Sequence, residues 1–248
     1  MKFYAVVAMI VCLIVPQAAM AYTGREIMEQ SEKLTSPNSG ESTLTMRIYN
    51  GNSSNPKEKV FSIIAKRAAG EDKVLLSFHK PTHLQLLTHA HKGREDDQWL
   101  VMSSGRIKRI ASGDKGKSFV HSHFYYEDLS SRDIDDYEYK NLGDAQALGE
   151  DCYKVEGVHK AGGKQVYDKS IAYVRKSDFF IMRVEFYQDG SLHKYLESYD
   201  IQKIDGILTP MRVVMTMADG TGRTEWKVQS VEYNKDSPDS KFNKEALR

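Results

Sequence analysis

The 248-residue chain has two cysteines, six prolines and a net charge of only +1. It has no apolar run as long as the roughly 20 residues that cross a bilayer core. Each scarcity excludes something. Cys12 lies in an apolar N-terminus and Cys152 far beyond it, so the rest of the chain forms no internal disulfide and packing alone must stabilise the core. Cys152, between Asp151 and Tyr153, is expected to pack inside a strand rather than to react. With 35 basic against 34 acidic residues, there is no electrostatic footprint for nucleic acid. No G-x-S-x-G or H-E-x-x-H stretch occurs, and acidic residues are scattered through the turns, so the common hydrolytic chemistries find no motif. Gly113-Asp114-Lys115-Gly116-Lys117-Ser118 imitates a phosphate loop, but Ala111 stands where its first glycine belongs and no βαβ pattern surrounds it. These absences predict a chain without catalysis and without a cofactor.

What is present begins with an export signal. Lys2 precedes an apolar stretch over 3–16, and Ala19-Met20-Ala21 offers small residues for cleavage before Tyr22. The expectation is a signal peptide over 1–21, cleaved after Ala21, and a single domain over 22–248 in the periplasm. Val11 stands before Cys12 where a lipobox needs a small residue, which argues against a lipid anchor. Thr23 to Leu34 reads as one helix. Thr23 and Glu26 form a capping box, and Ile27, Met28, Ser31 and Leu34 make an apolar stripe.

Period two then takes over. Leu44, Met46 and Ile48 alternate with Thr45, Arg47 and Tyr49, and Phe61, Ile63 and Ala65, then Val74, Leu76 and Phe78, follow at the same spacing. The pattern continues over 84–91, 98–102, 106–111, 137–142, 152–159, 169–174, 181–187, 192–201, 207–216 and 223–233. Gly162-Gly163, Asp189-Gly190 and Asp219-Gly220 are hairpin signals. Residues 112–136 break the pattern, and Phe124-Tyr125-Tyr126-Glu127-Asp128-Leu129 predicts one helical turn or two. A polar tail follows Tyr233. About eleven strands joined by short turns predict one large antiparallel sheet. Such a sheet curls, and its concave apolar face needs a cover. The N-terminal helix and the segment over 124–133 are the covers on offer.

Asp97-Gln98-Trp99-Leu100, Arg106-Ile107-Lys108-Arg109-Ile110, Ser118-Phe119 and Phe124 to Leu129, followed by Asp136-Tyr137-Glu138-Tyr139 and Cys152-Tyr153, resemble the outer membrane lipoprotein-sorting protein family, relatives of the periplasmic carrier LolA. The resemblance runs to about Tyr233. It implies a mainly β fold, a half-open antiparallel barrel with a lid of one or two helices, holding lipid or lipoprotein acyl chains in its concavity. It also implies an inner-membrane transporter of the RND or MMPL type as partner. A basic residue before a proline latches the lid in LolA carriers, and Lys80-Pro81 matches that position, with lysine in place of arginine and without its forked donors.

The residues placed to form cavity and lid are therefore Ile27, Met28, Leu34, Leu44, Met46, Ile48, Phe61, Ile63, Val74, Leu76, Phe78, Trp99, Phe124, Tyr125 and Leu129, with Lys80 as latch. The aromatic members either line a cavity or fill the core beneath the lid. Burying a sixteen-carbon chain is worth roughly 12 kcal/mol gross, so a carrier needs a lid that competes for the same space. Two other readings stand beside the carrier. One is a non-transporting accessory module that docks a peptide or transporter domain. The other is a metal-binding sensor built on His79, His83, His89, His91, His121 and His123, two pairs of which share a strand face.

Overall fold

The computed structural model describes residues 22–34, 37–51, 53–68, 71–81, 83–160 and 165–247. The expected signal peptide and the Gly162-Gly163 hairpin signal lie outside them. Helix α1, Gly24–Leu34, opens the described chain. Its capping box forms as the sequence requires: Glu26 Oε2 accepts from the Thr23 N–H at 2.7 Å and the Thr23 hydroxyl at 2.8 Å, while the Glu26 N–H donates to Thr23 Oγ1 at 3.2 Å.

Thirteen strands follow, two more than the eleven or so expected, because every alternating segment forms one, down to a three-residue edge strand. The first six are β1 Ser39–Asn50, β2 Lys57–Ala68, β3 Glu71–Lys80, β4 Leu84–His91, β5 Asp97–Val101 and β6 Ile107–Arg109. The other seven are β7 Tyr137–Ala147, β8 Glu150–His159, β9 Lys169–Arg175, β10 Ile181–Gln188, β11 Ser191–Ile204, β12 Ile207–Met217 and β13 Gly222–Tyr233. All lie in one antiparallel sheet of order β6-β5-β4-β3-β2-β1-β13-β12-β11-β10-β9-β8-β7. The chain thus lays down two meanders, and the pairing of β13 with β1 joins them into a half-open barrel. A register shift between Thr43 and Leu44 marks that seam.

This topology fixes where the lid must run. Strands β6 and β7 are opposite edges of the sheet, so the connection over 110–136 has to cross a face. It crosses the concave one. Phe119, Phe124 and Tyr126 are buried there against Met46, Phe61, Phe78 and Trp226. The segment opens as a tight hairpin, in which Phe119 N–H donates to the Phe124 carbonyl at 2.8 Å and Ser118 bridges Tyr125, and one helical turn follows within the expected stretch. Its tip forces Val120 and His121 to φ of 49° and 63°, a region that non-glycine residues seldom occupy. Helical character is confined to short 3-10 turns at Glu127–Leu129 and Ile134–Asp136. The lid therefore contains one α-helix, α1, and one irregular strap.

Helix α1 packs on the far end of the sheet, with Ile27 fully buried over Val155, Ala172 and Val174. Gly24 makes the close approach possible, since a Cβ there would stand 2.8 Å from the backbone of Lys140 and Asn141. The convex face carries its own cover. Phe242 and Leu247, from the tail after β13, pack on Ile64, Leu75, Leu87 and Val101. Cys152 is buried with Ala147, Phe180 and Met182, as its strand position suggested.

Candidate functional site

Cross-strand register builds the concave floor. Val155 pairs with Ala172, Ala172 with Val184, Val184 with Leu196, and Leu196 with Met215. This apolar row across five strands floors a cavity of about 320 Å³, roofed by Met28 and Ser31 of α1 and by Phe124 and Ile134 of the strap. A second apolar cavity, about 430 Å³, lies across the seam and is lined by Leu44, Ile63 and Val74 on one side and Val213, Trp226 and Val228 on the other. Phe124, in the first cavity, stacks on Trp226, in the second, with ring centroids 4.3 Å apart. One aromatic pair stands between the two spaces.

The strap is pinned by a buried ion pair that the sequence did not reveal. Lys194, on β11, is fully buried, and its ammonium donates to Asp128 Oδ2 at 2.6 Å and to the His123 carbonyl at 3.0 Å. It also lies 3.5 Å from the centroid of the Tyr125 ring. Asp128 further accepts from the Tyr125 N–H at 2.6 Å and the Tyr167 hydroxyl at 2.7 Å. Its side chain is only 4% exposed, so three donors serve one dehydrated carboxylate and sheet is tied to strap from both sides. Burial pushes the Lys194 ammonium down to about 8, against the opposing pull of Asp128. Burial outweighs attraction here, as is common for interior ion pairs.

Neighbouring groups complete the seat. His123 is hydrogen-bonded through Nδ1 to Thr224 Oγ1 at 2.8 Å, and burial, then the charge of Lys194, lowers its basicity. Tyr125 OH lies 2.8 Å from His193 Nε2, whose basicity burial also lowers. A Cβ on Gly222 would collide with the Tyr49 carbonyl and the His123 ring, so glycine is required where strap meets seam. Further along, Asp96 accepts from the Ser131 N–H at 2.6 Å and its hydroxyl at 2.8 Å, holding the strap's exit.

The residues singled out from sequence fall into four groups. Leu44, Ile63, Val74, Met28 and Phe124 line the two cavities. Met46, Ile48, Phe61, Leu76 and Phe78 share the concave face but belong to its filled part, with Leu129 packed beside them. Ile27 is buried under α1, Leu34 is half-buried at its end, and Tyr125 covers Lys194. Trp99 lies on the opposite face: Ile64, Leu75, Leu87 and Trp99 form one cross-strand row, on which the tail packs. The inward residue of that strand is its neighbour Leu100, and a one-residue change of register exchanges the faces.

Lys80 is exposed at the end of β3 and makes no hydrogen bond or ion pair to the strap among the described residues; the lysine in contact with the strap is Lys194. The histidines are dispersed. His89 meets the Phe242 carbonyl at 2.9 Å, His91 meets Asp97 at 3.0 Å, His79 meets Ser62, and His123 sits on β13. Among the described residues no group of three or more His, Cys, Asp or Glu is placed to hold a metal ion. No helix among them is long and apolar enough to cross a membrane.

Comparison with solved structures places this architecture. A DUF1329 family protein from Desulfovibrio piger superposes with a TM-score of 0.85 at 23% identity, over 91% of this chain and 98% of that one. A structure described as an outer membrane lipoprotein-sorting protein domain, from Vibrio parahaemolyticus, gives 0.83 at 28% identity, over 90% and 97%. A LolA superfamily protein from Nitrosomonas europaea gives 0.72 at 21% identity, over 92% and 100%. No curated protein matches the sequence. A family model described as an uncharacterized protein family matches residues 70–248. The chain belongs to the family that this model describes, and its half-open barrel is that of the LolA-like outer membrane lipoprotein-sorting proteins.

Proposed function

We propose that this chain is a non-enzymatic periplasmic carrier, exported by residues 1–21, that shields a lipid or the acyl chains of a lipoprotein between inner and outer membranes. An inner-membrane transporter of the RND or MMPL type is the proposed partner. The observation that carries the reading is the pair of apolar cavities separated by a side chain of the strap. Withdrawing Phe124 joins the two spaces without disturbing the sheet. The lipoprotein-sorting domain from Vibrio parahaemolyticus, similar over nearly its whole length, lends the cargo class.

The energetics suit a carrier. Full burial of a long acyl chain is worth about 0.8 kcal/mol per methylene, which would hold cargo too tightly to release. Rings that must leave the cavity to admit cargo return that energy when cargo departs. Part of the concave face admits nothing in this state, since Phe61, Phe78, Phe119 and Tyr126 fill it ring against ring. That filled portion is what favours the second reading, an accessory module that docks a partner without carrying lipid.

Uptake of a fluorescent fatty acid separates the two. A carrier binds it and releases it to unlabelled palmitate, and Val184→Glu, in the cavity floor, weakens uptake at least tenfold with the β-sheet spectrum retained. A folded wild-type protein that takes up no acyl probe would leave the module as the better account.

A further inference from the structure

The carrier reading leaves open what kind of lipid the site takes, and a third space bears on it. A polar vestibule of about 740 Å³ lies between α1, the adjoining ends of β2 and β3, the end of β4 and the strap. It shares Arg67 and Asp72 with the first apolar cavity, and Glu32, Arg132 and Ile134 with the second. Two apolar arms therefore open onto one polar centre.

The charges of that centre are unequal. Its carboxylates are Glu29, Glu32, Glu71, Asp72, Asp133 and Asp135. Arg25 is paired with Glu29 and Asp135, Lys92 with Asp135, Arg67 with Asp72, and Glu71 with Lys73 outside the lining, with His89 and His91 beside it. Arg132 differs: it makes no ion pair or hydrogen bond among the described residues. Its guanidinium lies 5.1 Å from the centroid of Phe186, a ring in the wall of the second cavity. The stacking leaves the guanidinium edge and its forked donors available, the arrangement that suits a phosphate. Around it, the six lining carboxylates outnumber the four basic residues Arg25, Arg67, Lys92 and Arg132, a balance that favours a cation and opposes any head group with net negative charge.

Resting on the carrier reading, we propose that the cargo is a two-chain glycerophospholipid with a zwitterionic head group. One acyl chain enters each apolar cavity, on either side of the Phe124–Trp226 pair. The phosphate sits on Arg132, and the head-group ammonium lies among the vestibule carboxylates.

The test uses the exported protein, purified without detergent and mixed with vesicles of phosphatidylcholine and phosphatidylethanolamine, with the lipid per chain counted by native mass spectrometry. The expected result is one zwitterionic phospholipid per chain. Arg132→Gln, at an exposed position, should stay folded and load roughly tenfold less, as loss of a charge-assisted phosphate contact requires, and Arg132→Lys should recover part of that loss. Diacylglycerol, which lacks the phosphate, should load weakly and equally in both proteins. Equal loading of wild type and Arg132→Gln, preference for added phosphatidylglycerol, or displacement of lipid by millimolar inorganic phosphate would each overturn the assignment. Uptake of fatty acid without any two-chain phospholipid would overturn it and leave the carrier reading standing. Failure to take up either would end both.

Discussion

The two halves of the concave face are built from the same alternating strands and are closed in different ways. Where the strap crosses β1–β3 it is core: Tyr126, Phe119, Phe78 and Phe61 form a chain of ring contacts 5.2 to 5.8 Å apart, and the cavity of about 430 Å³ lies beside them. Over β8–β12 the roof is an 11-residue helix and the edge of the strap, and a cavity remains beneath them. A hydrophobic lid therefore need not be a movable lid. The filled part anchors the strap, and the hollow half leaves space beneath its roof. The ion pair of Lys194 and Asp128 lies at the boundary between them.

Charges placed in each half should break the symmetry most strongly. Leu76→Glu puts a carboxylate into the filled half, where Leu76 is 3% exposed, and should prevent stable folding, since burying an unpaired charge costs several kcal/mol. Circular dichroism and denaturant titration read this directly. Val184→Glu, facing the hollow half, should fold and lose cargo instead. If both variants fold and both lose cargo, the filled half is also a binding space.

Next in size is the latch. Lys194→Met leaves Asp128 buried without its cation and should cost about 3–5 kcal/mol of stability, measured as a lower urea midpoint. Replacing both partners, Lys194→Met with Asp128→Leu, should recover much of it, because the pair itself is held against a desolvation cost. An Asp128 that tolerates the loss of Lys194 at under about 1 kcal/mol would mean that the pair does not fasten the strap.

Titration of the latch is a smaller effect with a definite sign. An unfolded chain keeps its lysine protonated to about 10.4, whereas burial lets Lys194 release its proton at about 8. Between these values the unfolded state binds more protons, so this group makes folding stability rise with pH. The buried phenols of Tyr125, Tyr126 and Tyr167 are pushed above their usual range; they reverse the trend once unfolded tyrosine ionises near 10. The unfolding free energy of the wild type should thus climb from pH 8 to about 9.5, and the Lys194→Met variant should lack that increment. Identical pH profiles would remove Lys194 as the titrating group.

Smallest is the helix start. Thr23→Ala removes the capping box and should cost about 1 kcal/mol, seen as faster hydrogen exchange in α1 with the strands unaffected. Loss of protection across the whole sheet would mean that the helix is part of the core rather than a separable roof.

Much of this was legible in the chain. The capping box at Thr23 and Glu26, the alternation that forms every strand, and the inward row Leu44, Met46 and Ile48 are local patterns that the fold obeys. Trp99 was grouped with the aromatics expected in the cavity or beneath the lid, while parity along its strand sends Leu100 inward and Trp99 to the tail. The tail itself reads as polar, yet two apolar residues, Phe242 and Leu247, are enough to seat it. The latch was hidden by sequence separation: Lys194 and Asp128 are 66 residues apart, and no local rule links them. One signal was available. Lys194 has the parity of Leu196, which floors the cavity, and a lysine in an inward position must meet a partner there.

The most direct test of the central claim is lipid extraction and mass spectrometry of the protein purified from a periplasm without detergent. A carrier with two apolar cavities should yield stoichiometric lipid, lost in Val184→Glu. A folded wild-type protein that yields none, and that also fails to take up fluorescent fatty acid, would contradict the account.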